Sequence, residues 1–257
     1  MTDTPRTLVV VPTYNERENL PIALARLAMH TPHVDVLVVD DGSPDGTGEL
    51  AEKLADAEQG ERSIAVMHRT GKQGLGTAYI AGFGWALERD YDVVVEMDAD
   101  GSHRAEDLPL LLAALDVKDA DLVLGSRWVH GGKVLNWPVS RQILSRGANV
   151  YTRVALGLPL GDATGGFRAY RASLLRKLPL GEISSQGYCF QIDMAWRATK
   201  SGARVIEVPI TFVERELGAS KMSHGIIVEA LISVTRWGIA ERGRQLRGLV
   251  RGKRRTA

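Results

Sequence analysis

Short apolar, β-branched runs alternate with stretches of helical spacing along the first half of this chain, and that alternation limits the fold more than any other feature. The runs are Thr7–Val11 (TLVVV), Val34–Val39 (VDVLVV), Ile64–Met67, Asp92–Met97 and DLVLGS ending at Ser126. Between them Leu20, Leu24 and Leu27 recur at helical intervals, and further helices are expected over Glu49–Ala55, Ala78–Arg89 and Glu106–Leu115. The apolar runs are too short for helices and read as buried strands. Strands that alternate with helices build an α/β fold, a mostly parallel sheet with helices on both faces. Ligands bind such sheets outside the carboxyl ends of the strands. PTYNE, DDGS, DADGSH and GSR each directly follow an apolar run, so all four are expected on one rim.

Beyond Arg127 the pattern weakens. Trp128 to Leu160 reads as a loop followed by an amphipathic helix, GDATGGFRAYRASLLRKL as a loop and then a helix, and Gly202–Val213 as a strand pair or an edge strand. His224 to about Leu249 is helical with an apolar face (Ile227, Leu231, Val234) and then turns basic. The expected division is a main domain over residues 1–223 and a C-terminal amphipathic helix with a basic tail over residues 224–257. A chain of 257 residues buries a core without staples. Its one cysteine, Cys189, reads as core filler in a reducing compartment. MTDTPRTLVVVP does not read as a secretory leader, and no window is long and apolar enough to span a bilayer.

Asp98 and Asp100 are separated by one alanine. If strand geometry persists beyond Met97, both side chains leave the same face. Adjacent carboxylates repel unless a cation lies between them, and magnesium or manganese prefers oxygen ligands while keeping positions open for phosphate. The pair reads as a divalent-cation bridge to a diphosphate, with the carboxylates of a polar turn as the alternative. Asp40 and Asp41 also follow a strand. There a carboxylate can accept hydrogen bonds from a nucleoside, or it can close an Asx turn ahead of a helix N-cap at Thr47. GKQGLGTA has neither Walker spacing nor G-x-G-x-x-G and follows the third strand, which speaks against a dinucleotide site. Arg69 and Lys72 beside it could face a phosphate, with solvated surface as the favoured alternative. Arg127, Arg141, Arg215 and Lys221 are cations suited to phosphate, the arginines through a bidentate fork.

VVVPTYNERENL, VVDDGSPDGT, GLGTAYIAGF, MDADGSH, GSRWVHGG, TGGFRAYR, GYCFQIDM and RELGASKMS occur in this order across Val9–Ser223. Together they resemble the family 2 inverting glycosyltransferases, and within them the dolichol/polyprenol monophosphate mannose synthases. The resemblance implies a GT-A-type nucleotide-diphospho-sugar transferase fold over residues 1–223, GDP-mannose as donor and a polyprenyl monophosphate as acceptor. By family correspondence Pro12, Tyr14, Glu16, Val39 and Asp41 would line the donor site, with Met97 and Ala99 beside the aspartates. Asp98 and Asp100 would hold the donor and a magnesium or manganese ion. Ser102 stands where relatives often carry glutamine; its hydroxyl is a shorter, poorer ligand, so water is expected between it and a metal. Arg127, Arg141 and Ser145 would receive the acceptor phosphate, and Arg215 and Lys221 would close over the donor diphosphate.

A phosphate monoester, with a second pKa of about 6, is largely dianionic at neutral pH. The implied reaction needs positioning and charge neutralisation, not a general base. Seven basic residues and no acidic one lie from Arg242 to Arg255 (Arg242, Arg244, Arg247, Arg251, Lys253, Arg254, Arg255). Behind an apolar helix face they suit an anionic lipid surface, against the alternative of a helix packed on the core with a frayed tail. The expected location is cytoplasmic, peripheral on the cytoplasmic face of a membrane, with room for a separate membrane-anchoring protein. The tail lacks interleaved aromatics, so nucleic acid is not an expected partner. A polyprenyl-phosphate glucosyltransferase, another family 2 sugar transferase and an inactive sugar-nucleotide-binding scaffold stay open as alternatives.

Overall fold

The computed structural model describes residues 5–183, 187–215 and 230–243. Nine strands occur there: β1 (Thr7–Thr13), β2 (Asp35–Asp40), β3 (Ile64–His68), β4 (Val93–Glu96), β5 (Leu122–Ser126), β6 (Lys133–Leu135), β7 (Arg168–Arg171), β8 (Val205–Pro209) and β9 (Thr211–Val213). Seven of them form one sheet in the order β3-β2-β1-β4-β7-β5-β8, and β6 pairs with β9 in a second. The helices are α1 (Leu20–His30), α2 (Thr47–Asp56), α3 (Leu75–Leu87), α4 (Leu108–Val117), α5 (Val139–Leu156), the single turn α6 (Ala172–Leu175), α7 (Gly187–Lys200) and α8, residues 230–243.

Strand β1 shows why its apolar run is continuous. Leu8 and Val10 point to one face, among Leu37, Tyr79, Phe83 and Tyr170. Val9 and Val11 point to the other, among Leu20, Leu24, Leu108 and Leu111. Both faces are covered by helices, so neither parity of residue meets water. Each large apolar side chain buried this way contributes about 1.5–3 kcal/mol. Helix α3 lies so close to β1 that a Cβ on Gly82 would stand 2.5 Å from Val10 Cγ1.

The chain runs from β1 outward to β2 and β3, then crosses back to β4 on the other side of β1. Strand order therefore reverses between β1 and β4, where a crevice opens at the carboxyl ends. The loops after β1, β2, β4 and β5 share that rim, as the sequence pattern requires.

Four local expectations are corrected. TGGFRAYR is not loop and helix alone: Arg168–Arg171 is a strand, inserted antiparallel between β4 and β5. Its pattern is hidden because one of the residues it buries fully is an arginine. Arg168 is fully buried, with its nitrogens donating to the carbonyls of Gly165, Gln191 and Ala163 at 2.7–2.8 Å. The stretch after Arg127 holds the short strand β6 as well as helix. Strand β4 stops at Glu96, so Asp98 and Asp100 lie in the following turn. Thr47 is the first residue of α2 and Gly46 its N-cap; the Thr47 hydroxyl instead donates to Asp45 and accepts the Glu16 N–H.

Helix α8 packs on the body of the protein. Val234 is buried, the Trp237 ring stacks on Trp196 at 5.6 Å, and a Cβ on Gly238 would stand 2.6 Å from the Ala155 carbonyl of α5. Leu231, Ile232 and Ile239 of the same helix stay exposed. Ile227 and the basic residues after Gly243 lie outside the described residues. Cys189 is fully buried, as expected of core filler.

Candidate active site

Asp98 and Asp100 share one environment at the end of β4. Asp100 is buried; its Oδ1 accepts the Ser102 N–H at 3.0 Å and its Oδ2 meets Arg215 Nη2 at 3.0 Å. Burial pushes the Asp98 carboxyl above its ordinary range, and the Asp100 charge adds to the push. Burial acts the same way on Asp100, but the Arg215 guanidinium and Ser102 hold that carboxyl below its ordinary range. Ser102 is itself buried and serves Asp100 with both its amide and its hydroxyl, so it orients that carboxylate.

Two further residues fix Asp98, and sequence reasoning gave neither a role. The Tyr79 hydroxyl donates to Asp98 Oδ1 at 3.1 Å, and the ring stacks with Phe83 and Phe190. Burial raises the Tyr79 phenol well above its usual value, so it remains a donor. The Asp98 N–H donates to His103 Nδ1 at 3.0 Å. Because Nδ1 accepts that proton, its 3.9 Å approach to Asp98 Oδ2 is not an ion pair. Beneath them Glu96 stands opposite Arg168 across the β4–β7 ladder and accepts from Tyr170 at 2.9 Å and Gln191 at 2.7 Å. Burial lifts the Glu96 carboxyl to about 7.

The loops after β1, β2 and β3 meet beside this pair. The two neighbouring aspartates divide their work. Asp40 is structural, accepting from Thr13 at 2.9 Å and from the Ser43 N–H at 3.0 Å. Asp41 is held by the Arg69 guanidinium and the Gln73 N–H, the latter at 3.2 Å. Arg69, expected on the solvated surface, is thus drawn inward by Asp41, and GKQGLGTA closes on that carboxylate. Lys72 lies 4.7 Å above the Tyr14 ring. The Asn15 N–H donates to Ser43 Oγ at 3.0 Å, which ties the first loop to the second. Pro12 is half-buried on the rim, and Glu16 is buried, accepting from Asn19 at 2.7 Å. Val39, Met97 and Ala99 are packed in the core and present almost no surface.

On the opposite side a groove of about 680 Å³, open to solvent, has Arg127, Arg141 and Ser145 among its lining. Leu144, Ala148, Ile192, Leu231 and Val234 line it too, giving it an apolar wall. Arg141 Cζ lies 4.1 Å from the Trp137 ring centroid and pairs with Glu214. Arg127 is buried and locked to Asp162 through two 2.7 Å contacts, with a third bond to Thr164 Oγ1 at 2.8 Å. Burial opposes charge on Asp162, but Arg127 holds its carboxyl below the usual range. Ser145 Oγ accepts the Trp128 indole N–H at 3.3 Å. Lys221 lies outside the described residues.

Phe212 of β9 joins the two halves. Its ring meets His103 edge-on at 5.7 Å and Trp137 at 5.2 Å, and Arg127 Cζ lies 5.4 Å from its centroid. Arg127 is therefore one aromatic ring, Phe212, from His103 of the aspartate loop. Among the described residues no cluster of three or more His, Cys, Asp or Glu side chains is arranged to hold a metal alone. A cation at the pair would need ligand oxygens from elsewhere.

The glycosyl transferase family 2 sequence model matches residues 8–179. The chain is 57% identical over 248 residues to the polyprenol monophosphomannose synthase of Mycolicibacterium smegmatis, covering 96% of this chain and 92% of that protein. It is 58% identical over 242 residues to the undecaprenyl-phosphate mannosyltransferase of Micrococcus luteus, covering 94% and 98%. Among solved structures, glucosyl-3-phosphoglycerate synthase from Mycobacterium tuberculosis, bound to Mn2+, UDP and phosphoglyceric acid, superposes with a TM-score of 0.65 at 18% identity, covering 90% of this chain and 78% of that one. A Pyrobaculum calidifontis mannosyltransferase bound to GDP-Man and Mn2+ superposes with a TM-score of 0.59 at 21% identity, covering 95% and 65%. Both share the GT-A fold.

Proposed function

This chain belongs to glycosyl transferase family 2, and on that footing we propose that it transfers mannose from GDP-mannose to a polyprenyl monophosphate. The products are GDP and a polyprenyl β-mannosyl phosphate, with inversion at the anomeric carbon. The observation that carries this reading is the groove. Its wall is apolar, its head is formed by Arg127, Arg141 and Ser145, and Arg127 of that head lies one aromatic ring, Phe212, from His103 of the aspartate loop. An isoprenoid chain with a single phosphate matches both ends of such a groove, whereas a sugar hydroxyl matches neither. The curated relatives carry names of mannosyl transfer to polyprenol-type phosphates, which supports the same acceptor and sugar.

Asp98 and Asp100 fit a magnesium or manganese ion by their chemistry. They are hard oxygen donors held close enough for one charge to raise the other's carboxyl, and Arg215 marks Asp100 Oδ2 as a seat for positive charge. Bound there, such an ion offsets the charge that gathers on the leaving diphosphate. The protein's own groups supply the rest. Tyr79 and His103 hold Asp98 in position, Arg215 can turn to the diphosphate, and Asp41 offers its carboxylate to the nucleoside. Arg127 and Arg141 orient the acceptor phosphate for in-line attack and neutralise part of its charge. That phosphate arrives ionised, so no side chain has to remove a proton.

Residues 1–223 carry the reacting and phosphate-binding side chains in this reading, and residues 224–257 add the groove wall of Leu231 and Val234 and membrane contact. No helix among the described residues is long and apolar enough to cross a membrane. Helices α5 and α8 nevertheless expose Val139, Ile143, Val154 and Ile239 beside the exposed Arg146 and Arg153. Such a face suits a lipid headgroup boundary next to the mouth of the groove. One assay tests the function. Purified protein is incubated with labelled GDP-mannose, GDP-glucose or UDP-glucose and polyprenyl phosphate, with and without magnesium or manganese. Cation-dependent transfer from GDP-mannose is expected, and transfer from UDP-glucose alone overturns the donor assignment.

A further inference from the structure

Strand β9 ends by sending two consecutive side chains to two different places. Its ladder with β6 runs one residue further, the Glu214 N–H donating to the Leu135 carbonyl at 3.1 Å. The Val213 N–H donates to the Ser102 carbonyl at 3.3 Å, which ties the same strand end to the loop that carries Asp100. Successive side chains of an extended chain leave opposite faces. Arg215 accordingly reaches Asp100, and Glu214 reaches Arg141 at the head of the groove. The Glu214 and Arg141 side chains are each 25% exposed, so water reaches the pair and can take over either partner.

A carboxylate on a guanidinium uses the same fork of donors that a phosphate monoester would use. We propose that Glu214 is a positioning residue that occupies Arg141 in place of the acceptor phosphate and releases it when Arg215 leaves Asp100 for the donor diphosphate. Acceptor capture then follows donor capture. This rests on the donor and acceptor assignments made above. Only one peptide unit separates the two side chains, so a movement that carries Arg215 off Asp100 also displaces Glu214. Until then an incoming phosphate has to displace a carboxylate that is present at high effective concentration. The coupling is reciprocal: an acceptor seated on Arg141 frees Glu214 and favours the donor-bound position of Arg215.

The test is calorimetric titration of farnesyl phosphate into wild-type protein, Glu214→Gln and Glu214→Asp, each without nucleotide and with GDP and magnesium, which stand in for the donor by supplying its diphosphate without a mannosyl group to transfer. Donor-free Glu214→Gln is expected to bind about tenfold more tightly than wild type, within the roughly 5–150-fold span of such couplings. Donor is expected to tighten the wild type by a similar factor and to leave Glu214→Gln unchanged. Glu214→Asp keeps the carboxylate and is expected to restore donor dependence. Equal donor-free affinity in wild type and Glu214→Gln overturns the proposal, as does a wild type whose farnesyl phosphate affinity ignores the donor. Absence of mannosyl transfer by the wild type, alongside tighter donor-free binding by Glu214→Gln, counts against the proposed function while upholding the place of Glu214 on Arg141.

Discussion

Arg127 and Asp162 meet twice, Nε to Oδ2 and Nη2 to Oδ1, both at 2.7 Å, in a pair almost wholly removed from water. The Arg127 N–H donates to the same carboxylate at 3.0 Å, so the strand end that delivers Arg127 is fixed with its side chain. Asp162 therefore sets the plane of a guanidinium that lines the groove. Asp162→Asn leaves a buried cation unpaired and is expected to cost about 3–5 kcal/mol of stability at neutral pH. The Asp162 carboxyl is held below its ordinary value, so its stabilisation is present above the unfolded pKa and lost as pH falls through the lowered folded one. Thermal melts of wild type and Asp162→Asn are expected to converge as pH drops below about 4. A constant gap across that range would remove the charge pair as the cause.

Arg141 is expected to set acceptor affinity. Loss of charge-assisted hydrogen bonds in Arg141→Ala should raise the acceptor KM by roughly ten- to hundredfold, corresponding to about 1.5–3 kcal/mol. Arg141→Lys restores charge without the planar fork that lies on Trp137, and only partial recovery is expected. Steady-state kinetics at saturating donor measure both variants; an unchanged acceptor KM would take Arg141 out of the acceptor site.

Gly82 tests the packing that carries the rim. A Cβ there would sit 2.5 Å from Val10 Cγ1, so α3 or β1 has to shift. Gly82→Ala is expected to lose about 1–3 kcal/mol in denaturant melts. A loss well below that range would mean that the helix–sheet contact is looser than described.

The exposed face of α5 is expected to meet lipid. Ile143→Glu and Val154→Glu replace side chains that are 66% and 64% exposed, so neither should lower the melting temperature appreciably. Both should reduce co-sedimentation with vesicles of anionic phospholipid. Retained vesicle binding in the double variant, with loss only on deletion of residues 242–257, would assign attachment to the tail instead.

Much of the rim was legible because strands β1, β2, β4 and β5 are apolar on both faces and each stops at a polar cluster. Asp41, Asp98 and Asp100 stand out for that reason. Their distant partners, Arg69 for Asp41, Tyr79 for Asp98 and Arg215 for Asp100, did not stand out as such, since each of these pairings spans a large sequence separation. Asp162 reaches back to Arg127, Glu207 accepts the Asp162 N–H, and Gln191 reaches Glu96. No local periodicity encodes such pairs. His103 was visible beside the acidic pair, yet its use as acceptor for the Asp98 amide depends on a turn that strand geometry did not foretell. Strand β7 was hidden because a buried arginine, satisfied by three backbone carbonyls, reads in a sequence as surface. Arg69 was misread for a related reason, its partner Asp41 lying in another loop.

The central claim is that the Asp98–Asp100 pair, through a divalent cation, grips the donor diphosphate beside the groove. The most direct measurement is a crystal structure of the protein with GDP-mannose and manganese, with the metal located by its anomalous signal. The expected result is a manganese peak in contact with both carboxylates and with diphosphate oxygens, and Arg215 moved from Asp100 to the diphosphate. Manganese and diphosphate bound away from Asp98 and Asp100 would contradict it.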